Sequence, residues 1–125
     1  MKRLLIGTLF VLASAVHAHK VELVNKDGYM PLVIPPRIVF FATKEYTGSS
    51  TVPVGTSSLF IVTVDCKTNL HRRALTELYD PTTGTVKQMF KSHDEIADAM
   101  RSQEFSTIEP ELVPITATLC SSLIK

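Results

Sequence analysis

The chain contains two cysteines, Cys66 and Cys120, and this pair limits the possible folds more than any other feature of the sequence. With two cysteines, only one intramolecular disulfide is possible. It closes a loop of about 55 residues, for which the chain-entropy model gives a stabilisation of about 4 kcal/mol. This is a large share of the roughly 5 to 15 kcal/mol that stabilises a typical domain. A fold that contains the bond must bring the C-terminal segment against the middle of the chain.

Residues 1–18 have the pattern of a secretory signal peptide. Lys2 and Arg3 give the segment a positive start, an apolar stretch follows, and the small residue Ala18 ends it. The apolar stretch has about 13 residues, whereas a transmembrane helix needs about 20. We therefore expect an exported protein, periplasmic or secreted, without a membrane span.

Removal of the leader leaves residues 19–125, which by length form a single domain. In an oxidising compartment Cys66 and Cys120 are expected to form a disulfide. The sequence has no Cys-x-x-Cys motif, so a redox role for the thiols is not indicated. Without the two leader cations, 11 Lys and Arg residues stand against 12 Asp and Glu residues. This balance excludes a general electrostatic attraction to nucleic acid.

Strand patterns dominate the first two-thirds of the mature chain. The clearest segment runs from Leu59 to Cys66, where Phe60, Val62 and Val64 alternate with other side chains. Because successive side chains of a strand point to opposite faces, this alternation places Cys66 on the core side. Antiparallel strands are predicted at 21–24, 37–43, 59–65, 70–79 and 86–90.

Turn and cap residues mark two further elements. Residues 80–84 predict a hairpin connection, in which Gly84 supplies a left-handed backbone conformation. Ser92 and Glu95 fit a capping box, which predicts a short helix that ends near Ser102.

A second helix is predicted at the C-terminus. Pro114 suits its first turn, where a missing backbone N–H costs nothing. Ile115, Leu119 and Leu123 then form an apolar stripe, with Cys120 on its flank. A helix of about 11 residues is marginal alone in water, so the disulfide would hold it on the sheet. The predicted fold is α+β: a small antiparallel sheet of about five or six strands with the C-terminal helix packed on one face.

The sequence contains none of the common catalytic, nucleotide-binding or metal-binding motifs, and we predict no catalytic residue and no cofactor. Its basic cluster is His71, Arg72 and Arg73. On a strand His71 and Arg73 share a face, where they can bind a sulfated glycan, an acidic protein patch or phosphate. The alternative is a solvated strand face, since three residues are too few for a nucleic-acid surface. Three acidic residues are expected to form a solvated connection: Glu104, Glu109 and Glu111.

An alternative hypothesis starts from His19, which would begin the mature chain. A terminal α-amine and a ring nitrogen form a chelate suited to copper, and His71 or His93 would supply a third nitrogen. On this hypothesis the protein is a metal-handling protein or a small enzyme that uses the N-terminal histidine. The simpler interpretation is a frayed terminus.

From Leu59 to Cys120, about half of the chain resembles the surface-adhesin protein E family of bacterial envelope proteins. The resemblance lies in the order of features. An apolar strand ends in Asp65-Cys66, a polar strand ends in Tyr79-Asp80, and a further strand precedes the segment Phe105-Ser106-Thr107-Ile108-Glu109-Pro110.

The resemblance implies a small antiparallel sheet with a helix against it and a disulfide between Cys66 and Cys120. For the namesake of the family it implies binding to host matrix at the cell surface. We therefore expect a non-catalytic exported envelope module that binds a protein or glycan partner by a strand edge or a sheet face. The candidate partner-binding residues are His71 and Arg73.

Overall fold

A computed structural model describes residues 19–24, 31–47 and 52–124 of the 125-residue chain. The predicted signal peptide, residues 1–18, lies outside the described residues. The described part has the predicted α+β fold, with one antiparallel sheet and a helix on each of its faces. Its strands are β1 His19–Val24, β2 Leu32–Ile34, β3 Arg37–Tyr46, β4 Ser57–Asp65, β5 Leu70–Asp80, β6 Thr85–Gln88 and β7 Ser106–Thr107.

The three longest strands form the centre of the sheet in the order β3, β4, β5. Strands β1 and β2 both pair with the outer edge of β3, and β6 and β7 both pair with the outer edge of β5. The sheet therefore has seven described strands, where the sequence predicted five or six. The patterns missed β2 and β7 because three and two residues are too few for an alternation to be recognised.

The predicted local motifs position the helices and turns. Gly84 has the expected positive φ of 71° in the turn between β5 and β6. Helix α1, His93–Arg101, begins after Ser92, whose Oγ accepts a hydrogen bond from the Glu95 amide at 3.3 Å. The Glu95 carboxylate accepts from the Lys91 amide at 3.0 Å, one residue before the position that a capping box uses.

The core lies on one side of the sheet, which we call the tail face because residues 108–124 cover it. Strands β3 and β4 contribute alternate apolar side chains to it, among them Phe40 and Val62, which are almost fully buried. The covering segment contains a 3₁₀ turn, Pro110–Leu112, and helix α2, Val113–Leu123. Leu112, which the sequence patterns missed, is only 1% exposed and fills the centre of this core.

The apolar stripe of α2 differs from the prediction at its end. Leu119 is buried and Ile115 packs against the core, as expected, but Leu123 is 40% exposed. The prediction for Leu123 is wrong because the helix ends there. The extended backbone of Ile124 then brings its side chain onto the core instead.

The opposite side of the sheet, which we call the groove face, carries α1. Val39 and Phe41 of β3 and Ile61 of β4 lie on this face, since they alternate with the residues of the tail face. Helix α1 packs against β5 and buries Met100. A nine-residue helix covers only part of a sheet of this width, so the two faces are covered to different extents.

Candidate functional site

The predicted partner-binding residues His71 and Arg73 lie on β5, where they are paired with Val64 and Val62 of β4. Both therefore face the tail side of the sheet, which confirms that they share a face. Arg72, between them, lies on the groove face. The basic cluster of the sequence is thus divided between the two sides of the sheet.

His71 is buried, with 4% of its surface exposed. Its Nδ1 lies 3.2 Å from the carbonyl oxygen of Ser106, and its Nε2 lies 3.5 Å from Oε2 of Glu109. Pairing of His71 with Ser106 in the β5–β7 ladder holds the ring in this position. Both ring nitrogens therefore have partners within the protein. Because the ring is also buried, it does not offer a surface to a partner molecule.

Arg73 is the accessible member of the pair, with a side chain that is 40% exposed. Its Nε lies 2.7 Å from Oε2 of Glu109, and its guanidinium lies 5.2 Å from the centre of the Phe60 ring. The carboxylate and the ring hold the guanidinium in place from two sides. Partner binding by Arg73 stays a prediction, and its geometry permits it.

A second ion pair stands beside the first. Nζ of Lys44 on β3 lies 3.4 Å from Oε2 of Glu111 in the 3₁₀ turn. Glu109 and Glu111 were expected to form part of a solvated connection, and for these two residues that expectation is wrong. They connect the tail segment to cations of the sheet, whereas Glu104 is exposed as expected.

Lys44 and Arg73, the cations of these two ion pairs, line a cleft on the tail face. The cleft has a volume of about 420 Å³, which is within the usual range for ligand sites. Arg73 and Lys44 supply N–H donors, Tyr46 and Ser58 supply hydroxyl groups, and Phe60 and Leu78 supply apolar carbon. Its wall includes Lys44, Tyr46, Ser58, Phe60, Arg73 and Leu78.

Two histidines of the copper hypothesis, His71 and His93, lie on opposite faces of the sheet. His71 lies on the tail face, and His93 is exposed at the start of α1 on the groove face. His19 begins β1, opposite Tyr46 of β3. Among the residues that the structure describes, no group of three metal-binding side chains comes together.

The predicted disulfide is present and joins Cys66, directly after β4, to Cys120 in α2. It lies beside the core, packed against the buried side chains of the tail face. Together with the two ion pairs, it fixes the tail segment to the sheet at separate points.

The search of family models, of curated proteins and of solved structures found no match to this chain. Neither of the two helices in the described ranges has the length and apolar character that crossing a bilayer requires. The resemblance to surface-adhesin protein E therefore stays a prediction.

Proposed function

We propose that the protein is a non-catalytic exported envelope module, similar to surface-adhesin protein E, that binds a glycan in the cleft beside Arg73. The observation that carries this proposal is the position of the half-exposed Arg73 guanidinium at the wall of the cleft, held there by Glu109. The export part of the proposal is supported by the leader pattern in the sequence and by the disulfide, which forms preferentially outside the cytosol.

The paired charges favour a glycan over an anionic protein patch. An acidic patch would have to compete with Glu109 and Glu111, which already lie 2.7 and 3.4 Å from their cations. A sugar hydroxyl both donates and accepts hydrogen bonds, so it can use an ion pair as it stands. Lys44 and Arg73 present N–H donors to the same cleft, and Tyr46 and Ser58 in its wall carry hydroxyl groups, so the wall offers polar groups that suit the hydroxyls of a sugar.

The ion pairs add preorganisation. Binding is weakened when side chains must lose rotamer freedom to form the site. Here the ion pairs already restrict Lys44 and Arg73, which line the cleft. Binding of a glycan therefore requires little rearrangement of the protein.

The test is a screen of the disulfide-bonded mature protein on a glycan array that includes sulfated glycans, followed by measurement of the best ligand in solution. We expect Arg73→Gln to weaken binding at least tenfold, because a charge-assisted hydrogen bond is lost. Arg72→Gln is the matched control, since it removes the same charge from the next residue on the opposite face.

Two outcomes would contradict the proposal. One is an array without a bound glycan together with capture of a protein partner from envelope extract, which would assign the protein-binding alternative. The other is equal weakening by Arg73→Gln and Arg72→Gln, which would show a non-specific charge effect. A reduced sample in the extract experiment tests whether capture depends on the native disulfide.

A further inference from the structure

The groove face contains a second concave surface, separate from the cleft beside Arg73. A groove of about 520 Å³ runs between α1 and strands β2, β3 and β4. This volume lies within the usual range for small-molecule sites, which are concave and mainly apolar with a few polar groups. The side chains that form most of its lining are apolar: Ile34, Val39, Phe41, Ile61, Ile96 and Met100.

The apolar surface of the groove reaches solvent. Ile34, at its edge on β2, is 60% exposed, and its neighbour Leu32 is also exposed. Both are on the groove face, since they are paired with Arg37 and Val39 of β3. The residues that the structure describes thus leave a connected apolar strip open, and removal of such surface from water favours binding of an apolar chain.

One end of the groove is basic. Arg101, the last residue of α1, lines it, and Thr63 on its floor is paired with Arg72 of β5. Phe105 lies under two guanidiniums, with ring-centre distances of 4.5 Å to Arg72 and 4.9 Å to Arg37. Three arginines from β3, β5 and α1 are therefore grouped where the groove ends.

Carboxylates in the described part of the chain pair with two of these arginines. Asp65 lies 3.7 Å from Nε of Arg37, and Asp98 pairs with Arg101. The hydrogen bond found for Arg72 is from Nη1 to the Gln103 carbonyl, at 3.4 Å. Nε of Arg72 is buried and has no hydrogen-bond partner among the described residues. A buried N–H without a partner is costly, so a shift of the Arg72 side chain that brings its guanidinium to an acceptor on a ligand would be favoured.

The electrostatics at Arg72 agree with its geometry. Desolvation by burial, followed by the like charges of Arg37 and Arg101, lowers the pKa of Arg72. The C-terminal end of α1 adds a partial negative charge near Arg101, but this partial charge is smaller than the unpaired charge of one arginine. The end of the groove therefore has an excess of positive charge that an anion can neutralise.

We propose that this groove binds a single-chain amphiphile with a carboxylate headgroup, of the long-chain fatty acid class. The alkyl chain lies on the apolar strip beneath α1, and the carboxylate lies between Arg72 and Arg101. A guanidinium offers two parallel N–H groups to a carboxylate, which suits this headgroup. The site is independent of the glycan cleft, because it lies on the other side of the sheet.

The experiment measures binding of octanoate, decanoate and dodecanoate by calorimetry below their micelle concentrations. Each added methylene is expected to tighten binding about three- to fourfold as the chain occupies more of the groove. Acetate carries the charge without the chain, and 1-decanol carries the chain without the charge. Both are expected to bind at least tenfold more weakly than decanoate.

Variants separate the two ends of the ligand. Arg72→Gln should weaken decanoate at least tenfold and leave 1-decanol unchanged, whereas Arg73→Gln on the opposite face should leave both unchanged. Ala97→Phe, which places a ring in the groove, should abolish binding of both molecules. If that variant does not fold, Ile96→Ser on the same helix provides the second test, with a predicted loss of at least fivefold for both.

Three results would overturn the proposal. The first is no binding of decanoate or dodecanoate by the folded protein. The second is unchanged decanoate affinity in Arg72→Gln, since the headgroup site would then be wrong. The third is binding to vesicles of anionic phospholipid without binding to monomeric decanoate, which would assign the strip to a membrane surface. None of these results depends on glycan binding at Arg73, so the two proposals fail separately.

Discussion

The two faces of the sheet bury their apolar side chains to different extents. On the tail face, residues 108–124 cover the core, and a disulfide and two ion pairs with Lys44 and Arg73 hold them there. On the groove face, a nine-residue helix covers part of the surface, and Ile34 stays largely exposed. The tail face thus combines a firmly held core with a cleft at Arg73, whereas the groove face leaves more of its apolar surface open.

The largest expected effect comes from the disulfide. Replacement of both Cys66 and Cys120 by alanine should reduce the free energy of unfolding by about 4 kcal/mol, because the closed loop spans 54 positions. Urea denaturation with and without reductant measures the change. Hydrogen exchange should show a larger loss of protection in α2 than in α1. Natively purified protein with two reactive thiols, and a melting temperature that reductant does not change, would contradict this prediction.

A smaller effect distinguishes the cores of the two faces. Leu112→Ala should cost about 3 kcal/mol, because the side chain is enclosed in the tail-face core and leaves a cavity. Met100→Ala on the groove face should cost about 2 kcal/mol or less, since the adjacent groove lets the site relax. Urea denaturation of both variants tests the order. A larger loss for Met100→Ala would show that the groove face contributes more to the free energy of unfolding than its partial coverage by α1 indicates.

A still smaller effect distinguishes the neighbours Arg73 and Arg72. Arg73→Met should cost about 1 kcal/mol, because Glu109 loses its closest cation. Arg72→Met should change stability by less than about 0.5 kcal/mol, since the lost ring contact and the long hydrogen bond to the Gln103 carbonyl are offset by relief of an unpaired N–H and of like-charge repulsion. Thermal melts at low and moderate salt measure both. Equal losses would mean that Arg72 has a stabilising partner that its surroundings do not indicate.

The smallest effect is a pH dependence from Asp65. Hydrogen bonds from the amide of Thr68, then from that of Lys67, and the charge of Arg37 together lower the pKa of its carboxyl below 3.8, although desolvation opposes them. The folded state therefore binds fewer protons than the unfolded state near pH 3.8. The stabilisation is present above that pH and is lost as pH falls through the folded pKa.

The variant Asp65→Asn isolates this contribution, because its amide oxygen still accepts the same two backbone hydrogen bonds. The difference in stability between the wild type and the variant should shrink as the pH is lowered from 6 to about 3. Urea midpoints across this range provide the measurement. A constant difference would show that the charge of Asp65 does not stabilise the fold.

The sequence predicted those parts of the structure that depend on local periodicity. Alternation placed Cys66 on the core side and put His71 and Arg73 on one face, and the capping residues located α1. The partners of these residues were not predictable in this way. Glu109 lies 36 positions after Arg73, and only the fold of the tail segment brings their charges together.

The candidate sites were even less predictable, because they depend on contacts between parts of the chain that are far apart in sequence. The groove needs side chains from three strands and a helix, and no local pattern in the sequence connects Ile34 with Ile96. The contacts of Phe105 with Arg37 and Arg72 join a loop to two strands that are not adjacent. The one available indication was the period of two, which separates Arg72 from its neighbours and assigns it to the other face.

Each outer edge of the described sheet is divided between two short strands. Beside β3 the edge is shared between β1, six residues long, and β2, three residues long, and beside β5 it is shared between β6 and β7. A long, continuous edge is a template on which other chains add strands and aggregate. Because each described outer strand is short, an incoming chain finds only a few consecutive backbone groups in register along the described part of either edge. We expect this arrangement to slow fibril growth at high concentration.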